Sequence, residues 1–252
     1  MTPIYFREQG HGAPILLIHG FPFHGRIWDD YLGLLSNNFL VITPDLPGFG
    51  QSPNLAASFT LADVADALLE FLSSKKIENI ALVGHSLGGY VALSMLEKKA
   101  ALFSALVLFH STSYADSQEK KDSRSKVVEF VKKNGAEAFT TSFIPPLFAN
   151  QNHPAIEKVR RIASQASDEA VIGYTLAMRD RPDQIKTLER FKNPTLFLAG
   201  KKDPGIPFDS VLKQASYCQN HQIHLLENAA HMGMFEFPEE TAAQIKDFLA
   251  QT

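Results

Sequence analysis

The stretch Gly84-His85-Ser86-Leu87-Gly88 directly follows the apolar run Ile80-Ala81-Leu82-Val83. This is a G-x-S-x-G pattern placed after a strand-like segment. The residues after it, up to Lys98 and Lys99, have helical character, and cations suit the negative end of a helix. A strand, a tight turn and a helix in this order would present Ser86 at the tip of the turn. The pattern therefore predicts an exposed nucleophile at one edge of a sheet.

The two glycines of this pattern have a physical reason. A side chain at Gly84 or Gly88 would crowd the backbone that passes close to the serine, and the turn strains the backbone of Ser86 itself. In such a turn the Leu87 amide can help to bind a developing oxyanion. A glycine-rich turn with an ordinary serine is the alternative interpretation of the five residues alone.

Composition limits the class of protein. The chain has 252 residues, 45% hydrophobic and 20% charged, which suits one globular domain with an insertion. The net charge of −3 gives no electrostatic footprint for nucleic acid. No apolar run approaches the ~20 residues that span a bilayer, and the first residues lack the pattern of a signal peptide. A single cysteine, Cys218, excludes an internal disulfide and a multi-cysteine metal site.

From these features we expect a cytoplasmic protein that binds no nucleic acid and no membrane. We further expect it to act on a small-molecule substrate without a metal ion or a cofactor, and to be a monomer or a homodimer.

Short apolar runs alternate with longer amphipathic ones. Runs that are apolar on both faces suit a parallel sheet covered by helices, and repeated β-α alternation favours a doubly wound, mostly parallel α/β sheet. Buried strands are predicted within residues 15–18, 39–42, 80–83, 102–109, 195–198 and 222–226. Helices are predicted over residues 60–76 and 239–250, and an antiparallel edge strand over residues 4–7.

One region interrupts this alternation. From Ser111 to Phe191 no buried-strand signal occurs, and parts of the region have helical character. Pro145 and Pro146 interrupt an apolar run there, so this run should form neither a regular helix nor a central strand. We therefore expect residues 111–190 to form a small helical cap. The core of the domain would then consist of residues 1–110 and 191–252.

A nucleophilic serine needs a base to take its proton and a third group to orient that base. After a nucleophile turn of this kind, the acid and the histidine should follow later strands in the order Ser, Asp, His. Asp203 follows the predicted strand at residues 195–198, and His231 follows the one at residues 222–226. Open α/β sheets place their sites at the carboxyl ends of the strands. We therefore predict catalysis by Ser86, His231 and Asp203.

Other side chains fit these roles less well. His85 adjoins the nucleophile but must point elsewhere across the turn. Some hydrolases place the acid after the preceding core strand, but here that position reads His110-Ser111-Thr112-Ser113, with no carboxylate before Asp116. Asp45 lies in a loop, and we expect it to stabilise the shape of this loop rather than to act as the acid.

Acyl transfer also needs hydrogen-bond donors for the oxyanion. The segment His19-Gly20-Phe21-Pro22 follows the first predicted buried strand. Gly20 allows close approach of the backbone, and Phe21 retains an amide that can point into the site, whereas Pro22 has none. A structural turn is the alternative interpretation.

These motifs resemble those of the α/β-hydrolase superfamily. The resemblance covers nearly all of the chain, from residues 19–22 through residues 45–52 and Ser86 to Asp203 and His231. Within the superfamily the chain is similar to the esterase, 3-oxoadipate enol-lactonase and cofactor-free haloperoxidase group.

The resemblance implies roles for further parts of the chain. It implies that the amides of Phe21 and Leu87 form the oxyanion hole, and that the predicted cap covers the site. Residues 178–183 are similar to a segment of enol-lactonase-like members. The cap is the most divergent part of such enzymes, so the resemblance is weakest where the substrate is selected.

We predict a cofactor-independent serine hydrolase that cleaves a carboxylic ester or lactone through an acyl-enzyme. Other chemistry with the same side chains stays open, namely perhydrolysis, C–C bond hydrolysis or a menaquinone-pathway synthase reaction. A non-catalytic binding module also stays open. The side chains expected to line the pocket are Phe21, Trp28, His110, Phe139, Phe143, Leu147, Phe148, Met178, Met232 and Phe235.

Overall fold

The computed structural model describes residues 2–56 and 58–252. The strands of the sheet are β1 (Phe6–Gln9), β2 (Ala13–Ile18), β3 (Phe39–Pro44), β4 (Ile80–His85), β5 (Phe103–Phe109), β6 (Thr195–Gly200) and β7 (His221–Leu226). They form one sheet in the order β1-β3-β2-β4-β5-β6-β7. Only β1 is antiparallel to its neighbour, and the other pairs are parallel. The predicted fold class is therefore confirmed, with the edge strand at residues 6–9 rather than 4–7.

Helices connect the strands on both sides of the sheet. They are α1 (Asp29–Leu35), α2 (Leu61–Ser74), α3 (Leu87–Lys99), α4 (Gln118–Asn134), α5 (Ala136–Phe143), α6 (Ile156–Ala163), α7 (Asp168–Arg179), α8 (Ile185–Arg190), α9 (Phe208–Ala215), α10 (Gly233–Glu236) and α11 (Pro238–Leu249). Within residues 2–56 and 58–252, none of them has both the length and the apolar character that a membrane crossing requires.

Helix α2 shows how local sequence sets an element. The Thr60 hydroxyl accepts a hydrogen bond from the Asp63 amide at 3.3 Å, and the Asp63 carboxylate accepts one from the Thr60 amide at 2.7 Å. This reciprocal pair satisfies two donors that the first turn leaves unpaired. Leu61, Val64 and Leu68 recur at helical spacing and are buried against the sheet.

The core lies on both faces of the sheet. Successive side chains of a strand point to opposite faces, so Leu16 and Ile18 of β2 belong to one buried cluster while Ile15 and Leu17 belong to the other. All four are at most 1% exposed. Burial of each such side chain contributes about 1.5–3 kcal/mol before the entropy of ordering is subtracted. A strand buried on both faces has the continuous apolar pattern seen in the sequence.

Helices α4 to α8 lie between β5 and β6 in the chain. The apolar run with two prolines forms a short 3-10 helix at Pro145–Leu147, in agreement with its predicted irregularity. Tyr174 of α7 is fully buried, stacks near Phe49 at a ring-centroid distance of 4.6 Å, and donates its hydroxyl to the Pro47 carbonyl at 2.9 Å. These contacts fasten the inserted helices to the loop that follows β3.

Candidate active site

Ser86 lies between the end of β4 and the first residue of α3. Its backbone has φ 51° and ψ −114°, a strained conformation for a residue with a side chain. A Cβ atom on Gly84 would lie 2.5 Å from the Gly88 carbonyl oxygen, and one on Gly88 would lie 2.2 Å from the Ile18 carbonyl oxygen. Both distances are too short for a real side chain, so the predicted crowding at the two glycines is confirmed.

The segment after β2 packs directly against this turn. A Cβ atom on Gly88 would also approach the His19 carbonyl oxygen to 2.9 Å, and one on Gly20 would lie 2.5 Å from Nδ1 of His85. The Leu87 amide is the first of α3 and has no partner within the helix. In the described part of the chain, the Phe21 amide also donates no hydrogen bond. Two unpaired amides therefore lie in segments that meet at Ser86.

Asp203 and His231 meet as buried side chains at the same edge of the sheet. His231 donates a hydrogen bond from Nδ1 to Asp203 Oδ2 at 2.7 Å. The other carboxylate oxygen accepts the amides of Gly205 at 2.8 Å and Ile206 at 3.0 Å. Burial by itself would raise the pKa of Asp203, but the charge of His231 and the hydrogen bonds from the imidazoles beside it hold that pKa well below its usual range. The carboxylate is therefore ionised and fixed in orientation.

The backbone of His231 is held from two sides. Its amide donates to the Leu147 carbonyl at 2.9 Å, and its carbonyl oxygen lies 2.9 Å from Nε2 of His85. His85 is fully buried, and desolvation lowers its pKa far below the usual range, so the ring is neutral and Nε2 carries its proton. The sequence indicated that His85 turns away from the nucleophile. It gave no signal that His85 supports the histidine predicted as the base, because the two residues are 146 positions apart.

The prediction that His110 lines the pocket is wrong. Its side chain is buried behind Asp203, with Nδ1 at 3.3 Å from Asp203 Oδ2. The Gly233 amide lies 3.3 Å from Nε2 and the Gly200 amide lies 3.2 Å from Nδ1, so backbone amides contact both ring nitrogens. Desolvation lowers the pKa of His110, which keeps the ring neutral. His110 therefore contacts the acid that orients His231 and does not reach the cavity.

Four apolar residues predicted to line the pocket also lie elsewhere. Trp28 and Met232 are completely buried, and Trp28 packs against Tyr31 at 5.6 Å between ring centroids. Phe148 belongs to the same buried cluster, and Phe235 packs against it. Apolar character predicts burial, but the tertiary packing decides whether a side chain faces the cavity or the core. The prediction is therefore wrong for these four residues.

A cavity of about 550 Å³ opens above Ser86 and His231. Of the residues predicted to line it, the structure places Phe21, Phe139, Phe143, Leu147 and Met178 there. Phe139 and Phe143 are stacked at 4.9 Å between ring centroids, and each lies 6.1 Å from Phe21. We call these three rings the aromatic wall. Lining residues that the sequence did not indicate include Tyr90, Lys120, Arg124, Thr175 and Ile206.

Three side chains of this site also have the spacing of metal ligands. The donor atoms of His110, Asp203 and His231 lie within 4.8 Å of one another. Both imidazoles direct Nδ1 at the same carboxylate oxygen, at 2.7 and 3.3 Å. Contact with this one buried carboxylate oxygen brings the three side chains together.

Known proteins resemble this chain in structure or in sequence. An esterase from Thermogutta terrifontis, solved with malate bound, is 32% identical, with a TM-score of 0.93 over 98% of this chain and 93% of that one. A bromoperoxidase from Bacillus anthracis is 25% identical, with a TM-score of 0.88 over 98% of this chain and 95% of that one. The (E)-2-((N-methylformamido)methylene)succinate hydrolase of Acinetobacter baylyi is 26% identical over 100% of this chain and 95% of its own.

A sequence profile agrees with these likenesses. The profile described as Alpha/beta hydrolase family matches residues 15–244, which include most of β2, all the strands from β3 to β7 and the segments that carry Ser86, Asp203 and His231. The match covers most of the chain, and the overall resemblance to the esterase extends over nearly all of it. This chain therefore belongs to the alpha/beta hydrolase family and is a hydrolase.

Proposed function

We propose that this protein is a serine hydrolase that cleaves a carboxylic ester or a lactone through an acyl-enzyme. The proposal rests chiefly on the 2.7 Å hydrogen bond between His231 Nδ1 and the buried Asp203. His231 lines the same cavity as Ser86, and Ser86 has the strained backbone typical of a nucleophile turn. A base held in this way is what a serine hydroxyl requires for attack.

Each of the three side chains has one role in the proposed reaction. The Ser86 hydroxyl attacks the substrate carbonyl while His231 Nε2 takes its proton. Asp203 holds the Nδ1 proton and stabilises the imidazolium, and its lowered pKa keeps it charged throughout. His231 then protonates the leaving alcohol. Water deprotonated by His231 then attacks the acyl carbon, the bond to Ser86 Oγ breaks, and the imidazolium returns the proton to Ser86 as the acid is released.

The amides of Phe21 and Leu87 are the proposed donors to the oxyanion. Support comes from the close packing of their two segments and from the lack of a partner for either amide among the described residues. A donor of this kind contributes about 10²–10³-fold in turnover, because it strengthens as negative charge develops on the carbonyl oxygen. The carbonyl would point toward α3, with the rest of the substrate in the cavity.

The relatives differ in how directly they support ester hydrolysis. The structure with 32% identity is that of an esterase, which favours a carboxylic ester as the substrate. The relative from Acinetobacter baylyi hydrolyses a substituted succinate, so members of the family also cleave other bonds. A substrate panel of esters, lactones and amides therefore separates the proposed activity from related ones.

The decisive experiment is the hydrolysis of 4-nitrophenyl acetate and butyrate by the wild type and by Ser86→Ala. Loss of the nucleophile should lower turnover by up to about 10⁶-fold. Ser164→Ala is the matched control, since this serine is exposed after α6 and does not line the cavity. Equal rates for wild type and Ser86→Ala would remove Ser86 from the mechanism.

Covalent labelling separates a hydrolase from a non-catalytic receptor on the same fold. A fluorophosphonate probe should modify Ser86 in the folded wild type, with the adduct located by peptide mass spectrometry. Folded protein that the probe leaves unmodified would favour a binding module instead.

A further inference from the structure

Two cations line the cavity next to the proposed nucleophile. Lys120 and Arg124 are four residues apart on α4, so they project from the same face of the helix. Among the described residues that line the cavity, none carries a carboxylate. We call Lys120 and Arg124 the cationic wall. The helix itself does not favour this placement, because Lys120 lies in the first turn, at the positive end of the helix dipole.

The guanidinium of Arg124 is anchored but not saturated. Its Nε donates to Oδ2 of Asp116, whose side chain is only 1% exposed. Its two terminal nitrogens make no hydrogen bond within residues 2–56 and 58–252, and the side chain remains 22% exposed. A guanidinium presents its donors as a planar fork that matches the two oxygens of a carboxylate. The two terminal nitrogens of Arg124 can therefore donate hydrogen bonds to a ligand.

Asp116 cannot neutralise the cluster, because it also pairs with a second guanidinium. Its Oδ1 accepts Nη1 of Arg181 at 2.8 Å. Burial would raise the pKa of Asp116, but Arg124 and Arg181 together lower it, so the carboxyl is ionised. One negative charge therefore faces two fixed positive ones, and Lys120 adds a third.

Arg181 is buried and uses both terminal nitrogens within the protein. It also donates to the carbonyls of Met178 at 2.7 Å and Tyr114 at 2.8 Å, and it lies 4.1 Å from the centre of the Tyr90 ring. This leaves Arg124 as the guanidinium of the cluster that can bind a ligand from the cavity.

The position of Lys120 places the cationic wall close to the reacting groups. Its Nζ donates to the Gly205 carbonyl at 2.7 Å, and the Gly205 amide in turn donates to Asp203. An ammonium has three donors, so two of them remain for a ligand. A substrate that spans the cavity from Ser86 would have its remaining polar group within reach of this wall and its apolar part against the aromatic wall.

From this arrangement we infer that the substrate carries, besides the bond that is cleaved, a negatively charged carboxylate that binds Arg124 and Lys120. The inference rests on the proposed hydrolase function and specifies its substrate class as the half-ester of a dicarboxylic acid or a lactone acid. The excess positive charge on the cavity wall is the observation that carries it.

The test compares two esters of equal chain length. The mono-4-nitrophenyl ester of adipic acid carries a terminal carboxylate, and 4-nitrophenyl hexanoate carries a methyl group instead. The wild type should have the higher kcat/KM for the adipate ester. In Arg124→Gln, which keeps a hydrogen-bonding side chain for Asp116, the ratio of the two kcat/KM values should fall about 10–100-fold, the effect of one lost hydrogen bond to a charged group. Arg124→Lys should restore part of the ratio.

Lys126→Gln is the matched control, because this exposed lysine lies on α4 but does not line the cavity. It removes the same net charge and should leave the ratio unchanged. A ratio that is equal in wild type and Arg124→Gln, or a wild type that prefers the hexanoate, would overturn the inference.

A binding measurement separates this inference from the proposed chemistry. If the protein cleaves neither ester, the proposed function fails, and calorimetry with adipate still tests the cationic wall. Adipate should then bind the wild type at least about 10-fold more tightly than Arg124→Gln, and more weakly as salt is raised. Equal affinities for the two proteins would contradict the inference.

Discussion

The carboxyl edge of the sheet and the inserted helices contribute differently to this protein. At the carboxyl edge, Ser86 and Asp203 follow the fully buried strands β4 and β6, whereas His231 follows the more exposed strand β7. Hydrogen bonds fix the backbone or the side chain of each of the three residues. In the insertion, α4 buries only Val128 and Val131, and it presents its charged residues to solvent or to the cavity. Under the proposed function, the sheet edge would carry the chemistry and the more exposed inserted helices would select the substrate.

Hydrogen bonds nevertheless join the two regions. The His231 amide donates to Leu147, Tyr174 donates to Pro47, and Lys120 donates to Gly205. Each contact joins a residue of the insertion to a loop at the sheet edge. Substitutions can therefore reveal whether the two regions act independently or through these links.

The largest expected effect is at the sheet edge. Asp203→Asn should lower kcat about 10⁴-fold, because the amide no longer fixes the proton on Nδ1 of His231 or stabilises the imidazolium. The loss should be similar for acetate, hexanoate and adipate esters, which steady-state kinetics on the three substrates would check. Asp209→Asn, at the start of α9, is the matched control. A loss confined to one substrate would mean that Asp203 contributes to selectivity rather than to chemistry.

The second prediction concerns the free energy of unfolding at acidic pH and the buried His19, which follows β2. His19 donates from Nδ1 to Gly20 and accepts the Leu46 amide at Nε2, both at 2.9 Å, and burial lowers its pKa to about 4. A lowered folded-state pKa gives stability that is complete above the unfolded value of about 6.5 and is lost as the pH falls toward 4. The loss from this group is on the order of 3 kcal/mol.

Urea unfolding at a series of pH values measures this loss. His19→Gln should be less stable than the wild type near neutral pH, but its stability should decline less between about pH 6.5 and pH 4. The exposed His11→Gln serves as the control and should keep the wild-type slope. Parallel slopes for wild type and His19→Gln would show that His19 is not among the groups responsible.

The smallest expected effect lies in the insertion. Phe143→Ala opens the aromatic wall and should lower kcat/KM for 4-nitrophenyl hexanoate about 10-fold relative to the acetate, because an apolar contact of this size changes discrimination by about 1–3 kcal/mol. Phe130→Ala on α4 is the matched control, since this ring is 43% exposed and does not line the cavity. An equal decrease for both esters would indicate that Phe143 supports the site without contacting the acyl chain.

Much of the architecture was predictable because its signals are local. The apolar run before Gly84 predicts β4, and the glycines predict the turn at Ser86, since both depend on residues within a few positions. The expected position of Asp203 and His231 at the same edge as Ser86 follows from the rule that parallel strands place their sites at their carboxyl ends. Their direct contact at 2.7 Å, in contrast, depends on the packing of β6 beside β7.

By itself, the sequence determined the sheet, its inserted helices and the three residues predicted to act together, because apolar periodicity and turn chemistry are written in short segments. Only the tertiary structure decided that Trp28 and Met232 face the core and that His110 lies behind Asp203. It also decided that Asp116 pairs with Arg181, 65 residues away, as well as with Arg124, which lines the cavity. These outcomes depend on how distant segments pack. No local pattern predicts whether a buried or charged side chain will contact the core or the cavity.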